Sequence, residues 1–502
     1  MVGTAETLTA AKARSRDATS ASTHGDTRHP ELRFAIVVTA MLATVLALLS
    51  WRHTPWRDEL QAWAIARDAP SIRALFAQLR YEGHPALWYL LLWFPARAFR
   101  SITALQVLQW IIASGATLLV TWRAPFTRTV RVLLACSYLP LIEYGVIARS
   151  YALMWILALG ALCVLGTRGG WWWSTALLAL AANTTVLAIP LAFGIAVGCA
   201  CDTELRARCR LPLAWRLRIS GIALVGIAGV VSVCTARPGS DAQHATISTS
   251  FGSEHALSIA TTPFRALAPI PGDVPAFWET HIATHLGWFG AAVSAAVVIC
   301  MTWRMRSRPA AWVPWTMTTV GVVAILATHG LYASLRFSGV LFAAAIAGLW
   351  CMRLVQPRAV TPNRLAGALG LVGCIGTALT MPVLVMIPFS GAAAAANWVQ
   401  VNYPTTPIVC DTAARCSAIA VRLSRTVRAP DMPEAFTYAR FTNAAGTDSQ
   451  ARTLALHLAR TTNSEVLLLT TDRPTTPDVV VLHHVNNSVV RDERYWISAI
   501  RP

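Results

Sequence analysis

The sequence predicts an all-α polytopic membrane protein with a small α/β domain at its C-terminal end. Apolar runs of about 17–25 residues, the length a bilayer core requires, recur from Phe34 to Pro388. Of 502 residues, 55% are hydrophobic and only 13% charged, where soluble domains carry about 25% charge. Beyond Pro388 the long runs stop, and short strand-like and helix-like segments alternate.

Residues 1–32 are rich in Ala, Ser, Thr and Arg without periodicity and read as a disordered cytoplasmic tail. A cleaved signal peptide is not expected, because the first apolar run begins only at Phe34 and no small-residue cleavage site follows it. The first membrane helix is expected at about 34–50. Arg14, Arg16, Arg28 and Arg33 precede it, which puts its N-terminus inside. Residues 51–83 then form an outer loop, and the Arg-rich loops 122–131, 204–218, 304–308 and 353–364 are cytoplasmic.

These loops set the path of a membrane domain over 33–388 with eleven to thirteen embedded helices. Helices near 131–147 and 150–167 go out and back, and two short crossings around Pro190 occupy 171–201. Helices at 213–234, 286–303, 310–328, 334–352 and 365–387 follow, with a large outer loop at 237–285. Segments 84–99 and 104–121 together should make one crossing; the first is short for a full span, so either it is re-entrant or loop 122–131 lies on the other side.

Within the outer loop 51–83, Ile72, Leu75, Phe76 and Leu79 keep helical spacing behind Ser71 as N-cap, and Leu60, Trp63, Ala64 and Arg67 do the same upstream. Two amphipathic helices lying on the membrane surface are predicted, with Trp51, Trp56, Trp63, Trp88 and Trp93 suited to the interface. In the tail 389–502, strands are predicted at Ile408–Cys410, Glu465–Leu469 and Val479–Leu482, and helices at Ala413–Ser424 and Gln450–Arg460. That alternation predicts a soluble α/β domain outside the membrane, with no glycine-rich phosphate loop.

The net charge of +18 does not point to nucleic acid, because the arginines sit in short loops between apolar runs. Lys12 is the only lysine, so arginine as such carries little meaning here. The eleven cysteines include no CxxC pair, which argues against a zinc module. Cys136, Cys163 and Cys300 lie in apolar runs as small core residues, whereas Cys410 and Cys416 fall in the outer tail, where a disulfide is possible.

Five places could carry chemistry. Asp58-Glu59 sits just past the first membrane helix, where acids usually have a task or a partner; an aspartate there can take a proton from a hydroxyl, and a solvated acidic loop is the plainer reading. Glu82-Gly83-His84-Pro85 follows, a helix start in which His84 could also bond a substrate or orient a carboxylate. Glu143-Tyr144 and Arg149-Ser150-Tyr151 should lie level with Asp58, as a phosphate site or a structural ion pair. Arg336 interrupts an apolar stretch toward the same face, as a second phosphate ligand or a snorkelling side chain. His281 and His285, spaced i, i+4 with Glu279 nearby, are a weak metal signal for want of a third ligand.

In order and spacing these pieces resemble a GT-C fold glycosyltransferase of the group of protein mannosyltransferases and aminoarabinose transferases. The matching residues are Trp56-Arg57-Asp58-Glu59-Leu60, the surface helices within 60–80, Glu82-Gly83-His84-Pro85-Ala86-Leu87-Trp88-Tyr89, and Glu143 with Ala148-Arg149-Ser150-Tyr151 as the family's Arg-x-Tyr element. The likeness covers roughly residues 34–200 by motif and 213–388 by architecture; Ala86 stands where many relatives have a second proline.

The resemblance implies transfer of a sugar, with inversion, from a polyprenyl-phosphate donor to an extracytoplasmic glycan, lipid or protein acceptor. It implies a multi-pass protein of the cell membrane, N-terminus inside and C-terminal domain outside. Asp58 would be general base; Arg149 and Arg336 would stabilise the phosphate; Glu59, Glu82 and His84 would position sugar or acceptor, beside Glu143 and Tyr151. Metal dependence varies among such enzymes, so a divalent cation is possible. A lipid or small-molecule transporter and an inactive GT-C-like scaffold are the competing readings; the sequence has no internal repeat of the transporter kind, and it retains Asp58.

Overall fold

The computed structural model describes residues 28–242, 252–444 and 446–502. Most of the expected tail 1–32, and residues 243–251 of the expected loop 237–285, lie outside the described residues. The last part of that tail differs from expectation: the first helix, α1, already runs from Arg28 to Arg52. Glu31 in its first turn pairs with Arg128 and Arg131 at 2.8 and 2.9 Å, which ties residues 28–32 to the bundle.

The membrane domain continues with α2 (Arg57–Asp68), α3 (Ile72–Leu79), α4 (Leu87–Ala98), α5 (Ile102–Arg123) and α6 (Arg128–Cys136). A π turn at Leu139–Glu143 follows, then α7 (Ser150–Val164), α8 (Gly170–Ala182), α9 (Ala188–Cys201), α10 (Thr203–Cys209) and α11 (Trp215–Ala236). After α12 (Ser253–Ala260) and α13 (Thr262–Leu267) come α14 (Ile282–Met305), α15 (Pro309–Thr328), α16 (Leu335–Val355) and α17 (Val360–Met386).

Seven of the described helices are long and apolar enough to cross a membrane: α1, α5, α11, α14, α15, α16 and α17, or eight with the bent pair α9–α10. The chain is a multi-pass membrane protein. The expected eleven to thirteen embedded helices include shorter ones; α7, α8 and α9 have 15, 13 and 14 residues, about 20 Å each against a core of about 30 Å. Large apolar side chains on α1 (Ile36, Val37, Met41), α11 (Ile227, Val230) and α14 (Phe289, Ile299) face outward, as lipid contact demands. By contrast α16 is buried almost throughout.

The short segment before α5 does not cross. Helix α4 lies alongside α2, and both its ends touch it: Gln61 Nε2 donates to Glu82 Oε1 at 2.8 Å just ahead of α4, and Arg97 Nη2 near its end donates to the Ala66 carbonyl at 2.8 Å. Only α5 makes the passage. Both helices predicted in the 51–83 loop form, as α2 and α3, with Ser71 Oγ accepting from the Ala74 N–H at 3.1 Å. But α2 does not lie on a surface: residues 59–66 are all buried because α4 and the C-terminal domain cover it, and Trp56, Trp63 and Trp88, expected at the interface, are buried as well.

The arginine-rich loops gather at the α1 N-terminal end of the bundle. Besides the Glu31 pairs, Arg353 Nε donates to the Pro125 carbonyl at 2.7 Å, and Arg308 meets Glu204 at 2.6 Å. The opposite end holds α2, α3 and the C-terminal domain. There Arg52 Nη2 donates to the Val385 carbonyl at 2.9 Å, bringing the end of α17 to the end of α1.

The C-terminal domain follows α18 (Ala392–Asn402). It comprises β1 (Ile408–Cys410), α19 (Ala413–Leu423), α20 (Asp448–Thr462), β2 (Val466–Thr470), β3 (Val480–Val485) and β4 (Tyr495–Ile500). The sheet order is β1-β2-β4-β3, with β1 and β2 parallel and the other pairs antiparallel. Cys410 and Cys416 are disulfide-bonded. The domain is seated on the 51–83 loop: Arg422 Nη2 donates to the Pro55 carbonyl at 2.8 Å, Thr437 Oγ1 to Asp68 at 2.8 Å, and Gln61 exchanges hydrogen bonds with the Ala439 backbone.

Candidate functional site

Asp58 lies in the first turn of α2, and two arginines from separate helices converge on it. Arg149, at the start of α7, places Nη1 2.7 Å from Asp58 Oδ2. Arg336, in the first turn of α16, places Nη1 3.7 Å from the same oxygen. Both guanidinium groups are nearly enclosed, at 11% and 14% exposure, whereas the aspartate keeps 24%. Burial pushes the Asp58 carboxyl up, but Arg149, Arg336 and Arg57 together outweigh it and hold the group below the usual carboxylate range. Asp58 is therefore ionised at neutral pH.

Arg336 sits in an aromatic cage. Its guanidinium lies 5.3 Å from the Trp56 ring, 5.8 Å from Trp278 and 5.1 Å from Phe337, within cation–π range. Its Nη2 reaches Glu279 Oε1 at 3.2 Å, while Nε and Nη1 are buried without a hydrogen-bond partner among the described residues. Glu279 holds φ at +61°, a conformation uncommon outside glycine. A buried cation with two unused donors is an incomplete anion site.

The remaining expected residues divide. His84 joins the cluster, its Nε2 3.5 Å from Arg149 Nη2; the turn that delivers it uses Gly83 at φ +65°. Glu82 stands behind, buried, accepting from Gln61 Nε2 at 2.8 Å and the Tyr89 hydroxyl at 3.1 Å. Burial pushes its carboxyl up to about 7 against those hydrogen bonds. Glu143 is buried and accepts from the Tyr138 hydroxyl at 3.2 Å. Tyr151 stacks on Tyr144 at 5.8 Å, and Tyr144 donates to the Arg336 carbonyl at 3.0 Å. The two tyrosines brace Arg336 from behind. A Cβ at Gly339 would strike the Tyr144 hydroxyl, so this approach requires glycine.

Glu59 points away from Asp58, as adjacent helical residues do. It is fully buried, with Oε2 2.7 Å from His53 Nε2 and 3.1 Å from the Trp56 N–H, and Oε1 2.6 Å from the Ala148 N–H. It ties the end of α1 and the start of α2 to the residue before Arg149.

The histidine pair in the outer loop does not form a metal set. His281 caps α14: Nδ1 accepts from the Ala283 N–H at 2.9 Å, and Nε2 bonds the Ala268 carbonyl at 2.7 Å. His285 faces Asp273 at 3.4 Å. Among the described residues no group of three or more His, Cys, Asp or Glu side chains is placed to hold a metal ion.

Sequence reasoning gave no site role to Arg57, Trp278, Asp492 or Glu493. Arg57 was legible only as part of the Trp56–Leu60 motif; Trp278 and the two tail acids carry no local pattern, since only folding brings them near Asp58.

No protein-family model matches the chain, and no curated protein does. Among solved structures it is similar to the crystal structure of ArnT from Cupriavidus metallidurans in the apo state: 16% identity, 92% of this chain and 97% of that chain covered, TM-score 0.42.

Proposed function

We propose that the chain is an inverting glycosyltransferase of GT-C type that moves a sugar from a polyprenyl-phosphate donor to an extracytoplasmic acceptor, with Asp58 as general base. One observation carries the reading: an ionised carboxylate stands beside two enclosed arginines, one of which has donors left unused among the described residues. A transferase of this kind needs both parts side by side. The acceptor hydroxyl gives its proton to Asp58 Oδ1 as its oxygen attacks the anomeric carbon. The carbon–oxygen bond to phosphate breaks, and the leaving phosphate takes the bond electrons. Arg149 and Arg336 hold that charge in a low-dielectric setting, where fixed cations count most. His84 orients Arg149, Glu82 and Glu143 shape the surroundings, Tyr151 supports Arg336, and Glu59 positions the helix that bears Asp58.

In this reading the bundle end with the arginine-rich loops is cytoplasmic and the C-terminal domain is outside, which suits a disulfide. The test is sugar release from a panel of radiolabelled polyprenyl-phosphate pentoses and hexoses by the purified full-length protein and by Asp58→Asn. Wild-type turnover that falls at least about a hundredfold in the variant supports the reading. Equal turnover in both removes Asp58 from the chemistry. Lipid binding without turnover on any donor favours a transporter or scaffold.

A further inference from the structure

The residue before Asp58 divides its charge between two carboxylates. Arg57 Nη1 stands 2.5 Å from Asp492 Oδ2, and its Nε stands 3.7 Å from Asp58 Oδ1. The Arg57 backbone N–H is held as well, donating to Glu493 Oε1 at 2.7 Å. Both acids belong to the C-terminal domain, on the 3₁₀ turn Arg491–Glu493. Glu493 is buried and receives the Ser390 hydroxyl. The first residue of the turn, Arg491, meets Asp273 Oδ2 at 3.2 Å, in the loop that leads to Trp278 and Glu279. One three-residue turn therefore grips both the segment bearing Asp58 and the loop that packs on Arg336.

Asp58 already has a direct ion pair with Arg149 through Oδ2. Arg57 Nε stands 3.7 Å from Oδ1, a distance too long for a hydrogen bond. A direct second cation would occupy that oxygen and weaken the base. We propose that Asp492 and Glu493 are positioning residues for Asp58: Asp492 draws the Arg57 guanidinium toward the C-terminal domain, Glu493 holds the Arg57 backbone, and Asp58 Oδ1 is left open to an acceptor hydroxyl. The inference rests on Asp58 being the general base. It gives the C-terminal domain a part in the chemistry, since its seating sets the state of the base. The charges facing Asp58 are Arg149, Arg336, Arg57 and His84, with Glu279 behind Arg336 and Glu82 and Tyr89 beyond Arg149.

The test uses the full-length protein in lipid nanodiscs with the same radiolabelled donors, measured across pH. In Asp492→Asn, Arg57 loses its nearer carboxylate and closes on Asp58, so plateau turnover falls about tenfold, as expected when a cation lowers a carboxyl by about one unit or more. Asp492→Glu restores it. Arg57→Gln alone removes a cation from Asp58 and moves the acid limb to higher pH. In Arg57→Gln/Asp492→Asn, turnover returns to the Arg57→Gln value, a suppression that loss of domain docking would not give. Asp492 is 46% exposed, so its substitution spares the fold. Asp478→Asn, which breaks the exposed Arg452–Asp478 pair of the same domain, keeps wild-type turnover. Additive losses in the double variant, or wild-type turnover in Asp492→Asn while Asp58→Asn is inactive, overturn this inference alone. Wild-type turnover in Asp58→Asn overturns the general base and this inference with it.

Discussion

Replacing Asp58 by Asn separates two roles that the structure places side by side. The amide keeps the shape but neither takes a proton nor carries a charge. Turnover falls at least about a hundredfold, the lower range for a lost general base. Phosphate binding moves the other way. Asp58 stands 2.7 Å from Arg149 and 3.7 Å from Arg336, so it competes with any anion those arginines hold. A phosphate on the unused Arg336 donors would carry its charge roughly 6 Å from the carboxylate. Two like charges at that separation repel by about 3 kcal/mol at an effective dielectric of about 20. With Asp58 24% exposed, we take half of that, about 1.4 kcal/mol, or about tenfold tighter binding in the variant. The assay pairs sugar release with titration of polyprenyl phosphate by calorimetry in nanodiscs. A variant that loses turnover and phosphate affinity together refutes the reasoning, because Asp58 would then be holding the arginines rather than opposing their ligand.

Other outcomes follow from neighbouring groups. The Glu82 carboxyl, ordinarily at 4.5, is pushed up to about 7 in the folded protein, so the stability its protonation confers is fully present below 4.5 and lost as pH rises through about 7. The loss is roughly 3 kcal/mol. Glu82→Gln should flatten that part of the melting-temperature profile between pH 5 and 8, and an unchanged profile would contradict the burial argument. Glu59→Ala strips acceptors from the buried Trp56 and Ala148 N–H groups and from His53, and should cost at least about 3 kcal/mol, read as a lowered melting temperature; a melt like wild type would show that Glu59 does not hold these segments. Replacing Cys410 and Cys416 by Ser opens a short loop closed by the disulfide and should lower stability by about 2 kcal/mol; the companion measurement is maleimide labelling of the denatured wild type, which should rise on reduction beyond that of its free cysteines, while the double variant shows no rise.

The fold was legible to the extent that solvent dictates it. A run such as 34–50 has to be a helix in lipid because its backbone can bond only within itself, and arginines end such runs because they stay in water. The structure accordingly gathers the arginine-rich loops at one end of the bundle. Ser71 and the apolar positions Ile72, Leu75 and Leu79 fixed α3 by local rules alone. Strand β4, Tyr495–Ile500, was not among the predicted strands although Asn486-Asn487-Ser488 marks a turn ahead of it; its place between β2 and β3 is decided by long-range pairing.

The sequence by itself determined the membrane class, the two helices of the 51–83 loop and the presence of an acid, a His-Pro turn and arginines in a suggestive order. Only the tertiary structure decided that Asp58 and not Glu59 meets Arg149 and Arg336, that a cage of Trp56, Trp278 and Phe337 holds Arg336, and that the C-terminal turn Arg491–Glu493 closes on Arg57. The physical reason is range. Hydrophobic length and capping act over a few residues and are written into local pattern, whereas an ion pair is decided by where separate helices and a separate domain come to rest.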